Sequence, residues 1–194
     1  MIYIVGGAPR VGKSTLAKQF AKSIKGKLVS TDELENPGSE SSVIFYNDAR
    51  KNVLAPSVRI ACVRKEAEHL FPSIEEMLTK TTSSQQDIVI EGVHLFPAFV
   101  ADMLKTFGKA NSNALFIGST NEKIILQGMQ ENTSPNNWSK NFDEEVLKQI
   151  ALFSQAFSYH MHDECKRYHL PYKERSIHFQ DDMISLSHCL KLSY

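Results

Sequence analysis

The chain has 194 residues, of which 42% are hydrophobic and 23% charged, and its 22 Lys+Arg balance 22 Asp+Glu for a formal net charge of zero. That composition is that of an ordinary soluble globular protein, and the balance argues against wrapping around nucleic acid or lying on an anionic membrane. Three scattered cysteines, Cys62, Cys165 and Cys189, form neither a disulfide framework nor a zinc pattern. Length predicts a single domain over residues 1–194. With no charged leader segment and no apolar run of bilayer-spanning length, the expected location is the cytoplasm.

Ile2-Tyr3-Ile4-Val5 is too short for a helix and suits a buried strand. Soon after it, Gly7-Ala8-Pro9-Arg10-Val11-Gly12-Lys13-Ser14 reads G-x-x-x-x-G-K-S. From Ser14 to Ile24 apolar residues recur at helical spacing (Leu16, Phe20 and Ile24, with Ala17 and Ala21 beside them). Strand, glycine loop and helix together make the frame that a phosphate-binding loop requires. Glycines let the backbone wrap around a polyphosphate, and the helix adds the partial positive charge of its N-terminus. Residues Gly7 to Thr15 are therefore expected to bind a nucleoside triphosphate. Lys13 would reach the β- and γ-phosphates, and the Ser14 hydroxyl would sit on Mg²⁺.

Lys27 to Asp32 reads as a second strand with a polar tip, followed by the turn signal Asn36-Pro37-Gly38. Residues from about Ala49 to Lys80 read as helical, with a break at Phe71-Pro72. Thr81 to Gln86 is a loop by composition. Asp87-Ile88-Val89-Ile90-Glu91-Gly92 is the clearest interior strand, and a helix follows from Pro97 to about Phe107. Asn113 to Gly118 is a fourth strand and Glu122 to Gln130 a helix. An Asn-rich loop from Asn132 to Asn141 precedes a long helix from Phe142 to Tyr168. Leu170 to His178 holds a fifth strand, and Asp181 to Leu190 a last helix. Strands separated by helices imply a parallel sheet covered on both faces, with ligands beyond the carboxyl ends of the strands.

Three strand tips then share one crevice: Gly7 to Lys13, Thr31-Asp32, and Glu91 to His94. Asp32 could orient an acceptor hydroxyl and take its proton, hold Mg²⁺ through water, or cap the helical turn that follows. Glu91 ends an apolar strand, where a carboxylate either reaches the metal or its waters or is a solvated terminus. His94 could bond an anionic substrate or be structural. Among Arg50, Arg59 and Arg64, between the second and third strands, Arg59 and Arg64 are the candidates for an anionic acceptor. His160 and His162 face apart on a helix and, with Asp163 and Glu164, read as a solvated face. The segment from Thr120 to Asn141 sits where a mobile lid belongs. It contains no arginine, and Lys123 and Lys140 are its only cations. A cation on the transferred phosphate would have to be Lys140, the loop residue Arg10, or a residue outside the lid.

Gly7 to Thr15, Ser30-Thr31-Asp32 and the segment Ile90-Glu91-Gly92-Val93-His94-Leu95-Phe96-Pro97 resemble the phosphate-loop small-molecule kinases, and among them the 2-phosphoglycerate kinase group. The resemblance implies a three-layer α-β-α P-loop NTPase fold with a five-stranded parallel sheet and a helical lid. It implies an ATP- and Mg²⁺-dependent phosphotransferase acting on a small-molecule acceptor, with Lys13 and Ser14 on phosphate and metal and Asp32 and Glu91 on the acceptor or metal side. Two rival readings stay open. One is a nucleoside or nucleotide kinase, with Phe45 and Tyr46 as stacking aromatics. The other is an ATP-binding regulatory module without turnover. A guanine-reading N-K-x-D segment and a pair of adjacent strand-end carboxylates are both missing, which favours a kinase.

Overall fold

The computed structural model describes residues 1–34, 55–82, 86–108, 110–131 and 142–191. The turn at Asn36-Pro37-Gly38, Phe45, Tyr46, Arg50 and the loop from 132 to 141 with Lys140 lie outside the described residues.

Five strands form one parallel sheet: β1 (Ile2–Gly7), β2 (Lys27–Ser30), β3 (Ile88–Glu91), β4 (Ser112–Gly118) and β5 (Tyr172–Glu174), in the order β2-β3-β1-β4-β5. Every residue of β1, β3 and β4 is buried, as expected of strands covered on both faces. Six helices flank the sheet among the described residues: α1 (Lys13–Ile24), α2 (Pro56–Thr82), α3 (Pro97–Phe107), α4 (Glu122–Gln130), α5 (Glu144–Tyr168) and α6 (Phe179–Lys191). The chain leaves β1 toward β2 on one side, and β4 lies on the other. The carboxyl end of β1 is thus the switch point where such sheets open a crevice. Register carries this further, since Val5 pairs with Glu91 and Glu91 with Ser30, which puts the tips of β2 and β3 level with the start of the loop.

One expectation fails. α2 runs unbroken from Pro56 to Thr82 with Pro72 inside it. Proline lacks the N–H that would bond the carbonyl of Glu68. Both Pro72 and Glu68 are exposed, so water can take that carbonyl. Val63 and Ala67 before the proline and Ile74 and Leu78 after it are all buried in one core, which holds the two halves on one axis. A second element ends as the residues suggest: α5 starts behind Asp143, whose Oδ1 accepts from the Val146 N–H at 2.9 Å. Its apolar stripe supplies Phe153, Phe157 and Met161 to the main core, where the Phe96 and Phe157 rings stand 5.6 Å apart.

Candidate functional site: a glycine loop beside two carboxylate-bearing strand tips

The loop leaves β1 at Gly7, where φ is 127° and a Cβ would stand 1.9 Å from the Ile117 carbonyl oxygen on β4. Only glycine fits there. The Ala8 N–H donates to that same carbonyl at 3.1 Å, Arg10 and Gly12 take positive φ of 60° and 95°, and α1 begins at Lys13. Positive φ at these positions curls the backbone into a concave turn that ends on a helix N-terminus, an arrangement that suits an anion.

Lys13 is 6% exposed, and its Nζ donates to the Ala8 carbonyl at 2.7 Å. Burial pushes the ammonium below the usual lysine range, and the Glu91 and Asp32 carboxylates push it back up. Three tips distant in sequence therefore meet electrostatically at one amine. Asp32 is exposed in a short 3₁₀ turn, Thr31–Glu33, after β2. Glu91 is 5% exposed, and its Oε1 accepts from the Ser30 hydroxyl at 3.0 Å. Ser14 and Thr15 are exposed on the first turn of α1.

His94 is 3% exposed, with Nδ1 3.0 Å from Thr31 Oγ1 and Nε2 3.3 Å from Glu66 Oε2. It ties the tip of β2 to α2. Arg59, 4% exposed, lies with its guanidinium carbon 5.9 Å from the centre of the Phe153 ring. Arg64 donates to Glu164 Oε1 at 2.8 Å and covers the Phe96 ring at 5.2 Å. This pair corrects the expectation of a solvated face around His160. Glu164 is buried, His160 stands 3.7 Å from it, and the His160 ring meets Phe96 at 6.0 Å. The cause is Arg64, which comes from another helix to neutralise the carboxylate.

A cavity of about 570 Å³ opens on the loop, lined by Arg10, Lys13, Ser14, Thr15, Arg175 and His178 among others. Asp32, Glu91, Arg59, Arg64 and His94 are not in its lining. The cavity thus takes in Lys13 and the start of α1 but neither strand-tip carboxylate. Four residues here were not singled out from the sequence. Ser154 donates to the Pro9 carbonyl, Gln155 to the Thr120 carbonyl at 2.6 Å, Ser158 accepts from the Ser119 N–H at 2.9 Å, and Arg175 donates to the Arg10 carbonyl at 3.3 Å. Ser154 and Ser158, four apart on the apolar stripe of α5, were a readable signal, because hydroxyls on a buried face need partners.

The donor set fits Mg²⁺. That ion keeps most of its waters and is bound through one or two protein oxygens plus phosphates, which the Ser14 hydroxyl and the Glu91 carboxylate can supply. Among the described residues no group of three or more His, Cys, Asp or Glu forms an all-protein metal cage. No helix among them is long and apolar enough to cross a membrane.

Solved structures match over nearly the whole chain. A gluconokinase from Sinorhizobium meliloti 1021 is similar with a TM-score of 0.55 at 14% identity, over 98% of this chain and 90% of its own. The fold is that of the P-loop kinases. A shikimate kinase from Bacteroides thetaiotaomicron is similar with a TM-score of 0.51 at 11% identity, over 99% of both chains. A deoxyadenosine kinase from M. mycoides is similar with a TM-score of 0.51 at 12% identity, over 98% of this chain and 99% of its own. No protein-family model matches the sequence, and no curated protein does.

Proposed function

We propose that this protein is a kinase that moves the γ-phosphoryl of Mg-ATP to a hydroxyl of a small, anionic metabolite, in the manner of the 2-phosphoglycerate kinase group. One observation carries the reading: Lys13, buried in a phosphate loop, lies within electrostatic reach of both Glu91 and Asp32. The likeness to a gluconokinase, a shikimate kinase and a deoxyadenosine kinase supports a phosphotransferase with a small-molecule acceptor.

In this reading the loop residues Gly7 to Thr15 and the N-terminus of α1 cradle the phosphates, and Lys13 exchanges the Ala8 carbonyl for phosphate oxygens. Ser14 and Glu91 would hold Mg²⁺, which when bound neutralises phosphate charge. Asp32, exposed at the crevice, accepts the proton of the acceptor hydroxyl. Arg59 and Arg64 on α2 favour an acceptor carrying phosphate or carboxylate. His94 acts on the acceptor side by fixing Thr31, the neighbour of Asp32. Catalysis is then mostly positioning and electrostatics.

The test is ATP consumption across phosphorylated acids, sugars and nucleosides. Turnover with one acceptor class, abolished in Lys13→Ala, is the expected result. Asp32→Asn should lower turnover by about 10²–10⁴-fold, the usual contribution of a general base, while ATP affinity holds. ATP binding with no turnover on any acceptor would replace the kinase by a nucleotide-binding module.

A further inference from the structure

Phosphoryl transfer concentrates negative charge, and it needs positive groups fixed around the phosphates. The segment from 120 to 141 contributes no arginine. Among the described residues the cavity on the loop draws its permanent cations from Lys13, Arg10 and Arg175. Arg175 stands immediately after β5, far from the lid segment in sequence.

Its placement is specific. The Arg175 backbone N–H donates to the Gly118 carbonyl at 2.8 Å, which fixes the residue at the carboxyl end of the sheet. The next residue is pinned too, with the Ser176 N–H and hydroxyl donating to Asp182 at 2.8 and 3.0 Å. The guanidinium then reaches the phosphate loop, where Nη1 donates to the Arg10 carbonyl at 3.3 Å. On its way it crosses α4 at Gly128, where a Cβ would meet Nη2, Nη1 and Cζ at 2.6, 2.7 and 3.0 Å. Glycine inside a helix is unfavourable, and here it makes room for this side chain.

Lys13 has the matching arrangement, with its Nζ on the Ala8 carbonyl of the same loop at 2.7 Å. Both cations thus rest on carbonyl oxygens of the turn whose N–H groups are set to bind phosphate. A carbonyl is a neutral acceptor, and a phosphate oxygen is a charged one that makes the shorter, stronger bond, with arginine able to bind it through two N–H groups. A polyphosphate on the loop therefore competes with these carbonyls for both cations, and at Arg175 also with the nearby Asp182 and Glu131 carboxylates.

We propose that Arg175 is the second phosphate-binding cation of this site, reaching the polyphosphate chain of the nucleotide from the connection after β5 rather than from the lid. The assignment rests on the nucleotide-binding reading above and goes beyond it by naming where the missing positive charge comes from. Gly128 is its positioning partner, a gap in α4 kept open for the guanidinium.

Titration calorimetry with Mg-ATP and, separately, inorganic tripolyphosphate tests this, using wild type, Lys13→Ala, Arg175→Gln, Arg175→Lys and Gly128→Ala. Arg175→Gln should weaken both ligands by about 10- to 100-fold, the range of a charge-assisted hydrogen bond. Arg175→Lys should recover part of that loss, since it restores charge but not the fork. Gly128→Ala should weaken tripolyphosphate while the melting temperature holds or rises, because alanine favours the helix and only the end of a flexible side chain must move. A purely structural arginine would give the reverse, lower stability with affinity intact. Tripolyphosphate affinity unchanged in Arg175→Gln overturns the assignment, and a loss confined to ATP moves Arg175 to the base or ribose. If wild type binds neither ligand, the phosphate-loop reading itself falls and takes the assignment with it. Wild-type binding that is lost in Lys13→Ala but not in Arg175→Gln sinks the assignment alone.

Discussion

Gly92→Ala tests how the tip of β2 is held against the end of β3. Gly92 follows the last residue of β3, and a Cβ there would stand 1.7 Å from Thr31 Oγ1, 2.7 Å from its Cβ and 2.9 Å from its Cγ2. Thr31 is fully buried and bonded to His94 Nδ1 at 3.0 Å, so its side chain cannot swing into solvent. Overpacking of this kind costs about 1–3 kcal/mol, and the lost hydrogen bond about 0.5–1.5 more, for a combined loss of about 2–4 kcal/mol. For a chain of this size that lowers the melting temperature by about 4–16 °C. The sharper measurement is a double-mutant cycle by urea denaturation. Thr31→Ala removes Oγ1 and Cγ2 and leaves only the contact at 2.7 Å. Gly92→Ala in that background should therefore cost at least about 1 kcal/mol less than in wild type, a coupling well above the scatter for independent sites. Whatever cost remains belongs to the backbone. Additive losses, with coupling under about 0.5 kcal/mol, would refute the steric account. Because Asp32 follows Thr31 directly, the same substitution should lower turnover while ATP affinity is kept.

Pro72→Ala should stabilise the protein by about 2–3 kcal/mol, since an interior proline costs a helix about 3 kcal/mol relative to alanine and the freer unfolded chain offsets only about 0.4–1 kcal/mol of that. A neutral result in thermal melts would mean that α2 is broken at Phe71-Pro72 after all. His160 supplies a pH dependence. Burial above all lowers its pKa, with Arg64 and Arg167 lowering it further and Glu164 and Asp163 opposing. Below about pH 6.5 the unfolded chain then binds more protons at this site than the folded one, so the stability it contributes is present above that pH and lost as pH falls. His160→Gln should flatten the stability–pH curve on the acid side, and a steeper curve in the variant would contradict the sign.

The strand, glycine turn and helix at the start of the chain were legible in the sequence because their requirements are local. Glycines at the turn, an apolar strand before it and helical periodicity after it all fall within the first 24 residues. The strands β3 and β4 were legible as continuous apolar runs for the same reason. Misreadings arose where a distant element decides the outcome. Local chemistry says that Pro72 stops a helix, but packing of Val63, Ala67, Ile74 and Leu78 into one core keeps it whole. Glu164 looks like surface charge until Arg64, 100 residues away, reaches it. Arg175 was not singled out because its contact with Arg10 spans 165 positions and its packing surface is a glycine.

The helix α5 is what turns these separate contacts into one device. Within five residues it holds the loop at Pro9 through Ser154, the exit of β4 at Thr120 through Gln155, and Ser119 through Ser158. Immediately before these residues and six residues after them it receives two arginines of α2, with Arg59 over Phe153 and Arg64 on Glu164. The cavity side and the carboxylate side are therefore referenced to the same rigid rod. In the proposed phosphoryl transfer, donor and acceptor would have to be held at a fixed separation, since misplacement by an ångström costs about 10²-fold in rate. A frame built from one helix meets that need better than two elements that could move independently. It also explains why polar residues sit on an otherwise apolar stripe: each hydroxyl or amide fixes a piece of backbone that carries part of the site.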